Sequence, residues 1–283
     1  QSKQYDTTLL SGITNLDGSG LNPALKGFTV TANSGGSIIK APNAKSTLTG
    51  GDGSDVLTGG AAADTLSAGG GDDSLVGGAG DDVLVAGTGN DNLTGGLGKD
   101  TFTFCNSNAL LVQGGVTTIT DFGNDVDVLN FGPLQGNTVK PANVALIVGS
   151  SDRNSGFVLT KSAVNNSVFL VNNTGNWVDA VNNGLAPRTP EQIADLFTEV
   201  VPNPDVPDTT MVQDVTFTKP PVLGATYYVI SYEAVHGADI WMVSNFSDVL
   251  SVSDNEVQLI GHINLSSYGN LWNALQVPGA VVA

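Results

Sequence analysis

The chain has 283 residues, with 27 acidic and 10 basic side chains and a formal net charge of −17 at pH 7. This acidity argues against DNA or RNA as a partner, because phosphate binding needs clustered lysine and arginine. The single cysteine, Cys105, excludes a disulfide framework and a cysteine-based zinc site. No run of about 18 apolar residues is present, so the sequence predicts no span across a membrane.

One residue type dominates the acids, since 23 of the 27 are aspartates and only four are glutamates. Aspartate is favoured in turns and in loops that wrap a hard cation. Residues 50–103 hold 16 of the 36 glycines and nine aspartates, but only one base, Lys99. This bias fits either a disordered acidic tract or an ordered repeat, and the spacing of the residues favours the repeat.

Residues 1–40 are predicted to form N-terminal strands or an arm, followed by a cap. The chain begins at Gln1 without a methionine or a charged-then-apolar leader. We therefore expect a processed form, an excised fragment, or a protein exported without an N-terminal signal. The segments ANSGGSIIK and APNAKSTLT place Ile39 and Leu48 nine residues apart, and Ser46 stands where later units have aspartate. They predict ion-free turns that continue the coil and close its open end.

From Gly50 the sequence divides into six units of nine residues: GGDGSDVLT, GGAAADTLS, AGGGDDSLV, GGAGDDVLV, AGTGNDNLT and GGLGKDTFT. The second place is always glycine, the sixth is always aspartate and the eighth is always large and apolar. The second-place glycines are Gly51, Gly60, Gly69, Gly78, Gly87 and Gly96. The fourth place holds Gly53, Ala62, Gly71, Gly80, Gly89 and Gly98.

Each place in the unit has a physical interpretation. Glycine at the first, second and fourth places permits a positive φ, so the chain can turn sharply. The last three residues suit a short strand with the eighth side chain pointing inward. Successive strands then stack into a coil whose loops alternate between two edges. One edge carries Asp55, Asp73 and Asp91, and the other carries Asp64, Asp82 and Asp100.

An estimate of the energies indicates that this coil needs a cation. Two carboxylates at the strand spacing of about 4.8 Å repel by about 3.5 kcal/mol at an effective dielectric constant of about 20. Burying one leucine stabilises by only about 2 kcal/mol. The available ligands are carboxylate and carbonyl oxygens, which select calcium over zinc. Three loops on each edge predict two slots per edge, hence about four sites.

These units resemble the GGxGxDxUx repeats of the RTX family, whose fold is a calcium-bound parallel β-roll. The resemblance implies an all-β fold, with the roll and its cap at residues 41–131. It also implies that calcium is bound by the sixth-place aspartates and by the carbonyls of the second- and fourth-place residues. Ala62 replaces a fourth-place glycine, so sites that use its loop are expected to be weaker or distorted.

The segment TTITDFGNDVDVLNFG resembles the I-x-D-F…D-x-I-D-L region that follows the repeats in serralysin-type and other RTX proteins. Asp121, Phe122, Asp127, Leu129 and Phe131 match this pattern, whereas Asn130 replaces its second aspartate. Asp121 and Asp127 are therefore candidate calcium ligands. The alternative is that they are turn aspartates that cap a strand.

The remaining chain predicts a β-rich extension with a short helix at 132–200, a proline-rich linker at 201–210 and a C-terminal β-rich domain at 211–283. Strands are expected at 144–149, in a hairpin at 157–171 and in a second hairpin at 227–243. RTPEQIADLF is the best helix, with Thr189 as N-cap and Pro190 at its first position. A second short helix is predicted at 268–275.

Motifs of catalysis are missing from the sequence. It contains no HExxH and no GxSxG. We interpret His236 and His262 as structural and Cys105 as a core thiol. The tryptophans suit a core or an interface, although stacking on sugars is an alternative. The sequence therefore predicts that the protein is not an enzyme.

The favoured interpretation is an extracellular, calcium-binding structural protein of a bacterium, in a surface layer, sheath or filament built from copies of itself. A cell-surface polysaccharide is a further candidate partner. The resemblance implies type I secretion, with which the C-terminal VPGAVVA is compatible. The alternatives are a folding and export module of a larger enzyme or toxin, and a calcium-dependent adhesin or lectin.

Overall fold

The computed structural model describes residues 8–21, 27–104, 115–123, 127–131, 144–148, 167–172, 189–195, 226–233, 236–244, 256–265 and 281–282. The chain divides into two compact units. The first comprises residues 1–138 and 261–283, and the second comprises residues 139–260. Within the described residues, no helix is both long and apolar enough to cross a membrane.

Short strands build the first unit, which we call the roll. Its strands in chain order are β1 (Thr8–Ile13), β2 (Asn15–Asp17), β3 (Phe28–Ala32), β4 (Ile38–Lys40), β5 (Ser46–Thr49), β6 (Val56–Gly60), β7 (Thr65–Ser67), β8 (Ser74–Ala79), β9 (Val83–Val85), β10 (Asn92–Leu97), β11 (Thr101–Thr103), β12 (Thr117–Ile119) and β13 (Val128–Asn130). Between β5 and β11, glycine-rich loops join the strands, as the nine-residue spacing predicts.

The strands of the roll form two parallel sheets that take alternate strands. Odd-numbered strands from β1 to β13 pair in order in one sheet, and even-numbered strands from β2 to β12 pair in the other. Val56 pairs with Ser74, and Ser74 pairs with Asn92, so one full turn of the coil takes 18 residues in the repeats. This topology confirms the predicted all-β fold and parallel β-roll.

The core of the roll is one column of apolar side chains between the sheets. The eighth-place residue of every unit is fully buried, from Leu57 to Phe102. Ile39 and Leu48 extend this column upstream, and Ile119 and Leu129 extend it downstream. Each buried leucine stabilises the coil by about 2 kcal/mol, so the narrow core leaves little margin for unfavourable terms.

The N-terminal strands continue the coil. β1 pairs with β3 and β3 with β5, while β2 pairs with β4 and β4 with β6. β1 and β2 lie at the outer ends of their sheets, so the edge-strand interpretation of the first residues is confirmed for residues 8–17. The two segments that end at Lys40 and Thr49 contribute β4 and β5, so they continue the coil as predicted. The prediction that they close its end is wrong, because β2 pairs with β4 and β3 pairs with β5 on the outer side.

The other end of the roll is closed by residues 115–123 and 127–131 and by two returning segments. Phe122 packs against Phe102 with ring centroids 6.2 Å apart, and Phe104 stacks on Phe131 at 5.5 Å. The end of β18 (Val257–Ile263) pairs with β12, and β19 (Val281–Val282) pairs with β13. The sequence did not indicate that the chain returns to the roll.

The second unit contains β14 (Val144–Val148), β15 (Ser167–Asn172), α1 (Pro190–Asp195), β16 (Thr226–Glu233) and β17 (Gly237–Ser244). β14, β15 and β16 pair in parallel, and β16 and β17 form an antiparallel hairpin. The strand predicted at 144–149 and the hairpin at 227–243 are therefore confirmed. Of the hairpin predicted at 157–171, only residues 167–171, within β15, are described.

The predicted helix is present and carries its predicted N-cap. The Gln192 N–H donates to Thr189 Oγ1 at 3.3 Å, and the Thr189 N–H donates to Gln192 Oε1 at 3.2 Å. These reciprocal bonds form a capping box. The linker at 201–210, the second helix at 268–275, Cys105, Trp177 and Trp272 lie outside the described residues.

Candidate metal centre

The sixth-place aspartates form two columns, one along each edge of the roll. The first edge carries Asp55, Asp73 and Asp91, and the second edge carries Asp64, Asp82 and Asp100. All six are only 1–3% exposed. Aspartate is almost never buried without a partner. Two buried columns of negatively charged side chains therefore indicate a functional site or a site that binds a ligand.

A ladder of hydrogen bonds holds each column in register. The Asp55 N–H donates to Asp73 Oδ1 at 2.7 Å, and the Asp73 N–H donates to Asp91 Oδ1 at 3.1 Å. On the second edge, the Asp64 N–H donates to Asp82 Oδ1 at 2.7 Å and the Asp82 N–H to Asp100 Oδ1 at 2.9 Å. The partners are 18 residues apart, which confirms that successive loops alternate between the edges.

The ladder satisfies Oδ1 of Asp64, Asp73, Asp82 and Asp91, and the Gly51 N–H donates to Oδ2 of Asp55. The other oxygen of each of these carboxylates has no partner. The buried oxygens that accept no hydrogen bond are Asp55 Oδ1, Asp64 Oδ2, Asp73 Oδ2, Asp82 Oδ2 and Asp91 Oδ2. Leaving such an atom unsatisfied costs about 1–3 kcal/mol, and more when the group is charged. Five buried oxygens without a hydrogen-bond partner in one narrow coil therefore point to a bound species that is coordinated by oxygen atoms.

The pKa values of these groups show the same unfavourable environment. Burial raises the pKa of Asp64, Asp73 and Asp100 from 3.8 to about 6. Burial raises the pKa of Asp82 and Asp91 to about 7. The neighbouring carboxylates of the ladder add to the shift, as Asp64 and Asp100 do for Asp82. Without a cation, ionising each of these groups in the folded roll costs about 3–4 kcal/mol.

Glycine is required in the loops for two different reasons. In units three to six, the second- and fourth-place glycines have φ between +92° and +125°, as predicted. The prediction of a positive φ at the first place is wrong, since none of the first-place glycines has one. These glycines provide space instead. A Cβ at Gly59, Gly77 or Gly95 would lie 2.2–2.6 Å from Oδ2 of the aspartate in its own loop.

The first two units depart from the regular loop. Gly51, Gly53 and Gly60 have φ values outside the left-handed region. Ala62 stands at the fourth place of the second unit, and a Cβ on Gly80 of the next loop on that edge would meet its carbonyl carbon at 2.7 Å. These two loops therefore stack so closely that Gly80 has no space for a Cβ, although the residue stacked against it is Ala62.

The backbone carbonyls of the loops also lie along the edges. The Gly51 carbonyl accepts the Gly70 N–H at 2.7 Å, and the Gly69 carbonyl accepts the Thr88 N–H at 2.8 Å. Each carbonyl oxygen has a second lone pair that remains available to a cation. Within the described part of the chain, no three or more His, Cys, Asp or Glu side chains converge on one point. A cation between two loops would thus need backbone oxygens in addition to carboxylates.

The two candidate ligands downstream of the repeats have a different environment. Asp127 extends the second column, because its Oδ1 accepts the Asp100 N–H at 2.9 Å, and its Oδ2 accepts the Gly123 N–H at 2.8 Å. Asp121 accepts the Gly95 and Gly96 N–H groups at 3.0 and 2.8 Å. All four oxygens have protein partners, which favours the strand-capping alternative for both residues.

The structure adds residues to the columns that the sequence did not single out. Ser37 precedes the strand pair Ile38 and Val56, so it occupies the aspartate place before Asp55. Thr117 occupies that place after Asp91, and Ser46 occupies it before Asp64, as predicted. Ser37, Ser46 and Thr117 are all buried. In the sequence, only the offset of 18 residues from Asp55 could have identified Ser37. Thr117 could not be found in this way, because its spacing from Asp91 does not follow the 18-residue period.

Comparison with known proteins supports this geometry. Residues 46–75 and 76–103 match the family model of the RTX calcium-binding nonapeptide repeat, in four copies. The match covers about a fifth of the chain and confirms the predicted resemblance. No curated protein and no solved structure matches this chain. Residues 46–103 are therefore RTX repeats, a type of repeat that binds calcium.

Proposed function

We propose that the RTX repeats at residues 46–103 make this chain an extracellular, non-catalytic structural protein whose roll folds when calcium binds between successive loops. The observation that carries the proposal is the set of five buried carboxylate oxygens without a hydrogen-bond partner. Their chemistry fits calcium, because carboxylate and carbonyl oxygens are the ligands that calcium prefers.

The residues that would hold the ions follow from the two columns. On the first edge, Asp55, Asp73 and Asp91 would contribute to two slots between adjacent loops. On the second edge, Asp64, Asp82 and Asp100 would contribute to two more. The carbonyls of the second- and fourth-place residues would complete each slot. Calcium supplies positive charge there and relieves the repulsion between buried carboxylates.

A dependence of folding on calcium would suit secretion. Without calcium, the ionised columns cost about 3–4 kcal/mol per carboxylate, which exceeds the contribution of about 2 kcal/mol from one buried leucine. The chain would therefore remain unfolded where calcium is scarce and fold where it is plentiful. This behaviour supports export of an unfolded chain followed by folding outside the cell.

The proposed structural role, assembly with copies of itself, rests on the second unit. β14 lies at the end of the row β14, β15, β16 and β17, so it has one neighbour among the described strands. An open strand edge can pair with another chain. A contact of this kind that does not close on itself would produce sheets or filaments. Residues 1–10 were a candidate arm for adding a strand to a neighbouring chain, but residues 8–10 already pair with β3 as part of β1.

Calcium titration calorimetry and circular dichroism test the calcium function. We expect about four ions per chain, loss of β-sheet signal after chelation with EGTA, and no recovery with magnesium, which dehydrates reluctantly. Asp55→Asn should weaken binding, whereas Asp52→Asn in the same loop should not, because Asp52 is exposed. A calcium-free chain with the full β-sheet spectrum would overturn the proposal.

Sedimentation and electron microscopy test the structural role separately. We expect ordered assemblies at millimolar calcium and none in EGTA. A strictly monomeric protein at high concentration in calcium would refute assembly and would favour the export-module alternative, while leaving the calcium function intact.

A further inference from the structure

The second edge of the roll ends at a loop that has no regular successor. This loop, residues 95–100, begins with Gly95 and Gly96 and ends with Asp100. In the preceding coils, the corresponding glycines lie inside paired strands. Gly60 pairs with Gly78, and Gly78 pairs with Gly96. β12 continues this sheet only alongside Asn92 and Leu93, so it does not extend to Gly95 or Gly96.

A side chain takes over where the strand pairing stops. The Gly95 N–H donates to Asp121 Oδ1 at 3.0 Å, and the Gly96 N–H donates to Asp121 Oδ2 at 2.8 Å. One carboxylate thus accepts from two consecutive backbone groups at the point where β12 no longer pairs with β10. Hydrogen bonds to a charged acceptor contribute more than neutral ones, so this contact orders the start of the loop.

The end of the same loop is held in a similar way. The Asp100 N–H donates to Asp127 Oδ1 at 2.9 Å, and Asp127 Oδ2 accepts the Gly123 N–H at 2.8 Å. The first two residues and the last residue of the loop are therefore fastened by two carboxylates from the segment that closes the roll. The Thr94 and Thr120 hydroxyls lie 2.8 Å apart and join the same two coils beside this contact.

We infer that Asp121 is a positioning residue that holds the last calcium loop, residues 95–100, in its binding form, and that it is not itself a ligand of the ion. The inference rests on the proposed calcium function. In the slot between Asp82 and Asp100, one wall is made by the last loop that follows the nine-residue pattern, and the segment behind this loop departs from that pattern. Asp121 supplies hydrogen-bond acceptors to Gly95 and Gly96, where strand pairing with β12 has ended.

The decisive experiment is calcium titration of Asp121→Ala and Asp121→Asn, with ion number counted by native mass spectrometry at saturating calcium. We expect the wild-type number of ions in both variants. One ion should bind about 100-fold more weakly in Asp121→Ala and about tenfold more weakly in Asp121→Asn, which keeps one acceptor oxygen. The other ions should keep their affinities.

Asp81→Asn is the matched control for charge. Asp81 and Asp121 both raise the pKa of Asp100, so both place negative charge near this carboxylate. Asp81 is exposed, and its one hydrogen bond to the loop at residues 95–100 is from the Lys99 N–H, at 2.9 Å. If Asp121 acted through charge alone, both substitutions to asparagine would weaken calcium binding equally. We expect less than about a threefold effect from Asp81→Asn, since it is a surface charge.

Amide hydrogen exchange in saturating calcium provides a second measurement. Gly95 and Gly96 should lose protection in Asp121→Ala, while Gly77 and Gly78 of the preceding loop should keep theirs. One ion fewer at saturation would show that Asp121 is a ligand and would overturn the inference. An unchanged affinity would overturn it as well. Both results differ from failure of the calcium function, in which the wild-type chain would bind no calcium.

Discussion

Acid should restore the β-roll in the absence of calcium. A group whose pKa is raised on folding stabilises the fold below its unfolded pKa and loses this contribution as the pH rises through its folded pKa. Here the unfolded value is 3.8 and the folded values are about 6 for Asp64, Asp73 and Asp100 and about 7 for Asp82 and Asp91. The calcium-free roll is therefore least stable above about pH 7 and gains stability as the pH falls toward about 4.

The free energy recovered by protonating these carboxyl groups is large compared with the free energy of unfolding of an ordinary protein. At about pH 5, protonation recovers about 1–3 kcal/mol for each of these carboxyl groups relative to the fully ionised roll. Over the five groups this amounts to roughly 10 kcal/mol, which is comparable to the whole free energy of unfolding of a typical domain. The effect is opposite to the usual acid denaturation, in which carboxylates stabilised by partners become protonated.

Circular dichroism in EGTA, recorded between about pH 8 and pH 4, measures this effect. We expect the β-sheet signal to increase as the pH falls through about 7 to 6. Asp82→Asn combined with Asp91→Asn is the control, because it removes the two groups with the highest pKa. This variant should be more folded than wild type in EGTA at about pH 8, yet bind calcium more weakly. A calcium-free spectrum that does not change with pH, or a double variant that is less folded, would refute the reasoning.

Two further predictions concern single loops. Asp73→Ala should lower calcium stoichiometry and melting temperature more than Asp55→Ala, because Asp73 has a ladder partner on both sides; equal values in calorimetry would contradict the stacking order. Gly77→Ala should destabilise the calcium-bound roll by about 1–3 kcal/mol in thermal unfolding, since its Cβ would lie 2.4 Å from Asp82 Oδ2. Ala68→Gly, at the same place on the first edge, should cost only about 0.5–1 kcal/mol. Similar losses in both variants would argue against a steric role for Gly77.

The nine-residue register of the sequence was enough to predict the roll. Glycine, aspartate and leucine recur at fixed places, and each type has one physical use in a coil of short strands. Leu57 and Phe102 are therefore buried, and Asp55 and Asp64 lie on opposite edges, as expected. The oxygen-only ligands also indicated calcium from the sequence alone, because ligand chemistry depends on residue type.

Side-chain contacts within each loop could not be predicted from the register. The first-place glycines were expected to adopt a positive φ, but Gly77 and Gly95 are needed because a neighbouring carboxylate occupies the space of a Cβ. Such a requirement depends on how the loop folds around Asp82 or Asp100. A local pattern of residues contains no information about a distance of this kind.

The contacts of the closing segment are seen only in the tertiary structure. The sequence left Asp121 and Asp127 as either calcium ligands or strand caps, because both roles need an aspartate in a turn. In the structure their oxygens accept backbone N–H groups of residues 25–27 positions earlier, such as Gly95 and Asp100, and of Gly123. The return of β18 and β19 to the two sheets is equally non-local, since Val281 pairs with Leu129. Residues that satisfy the open end of a stack can come from any part of the chain, so only the folded structure identifies them.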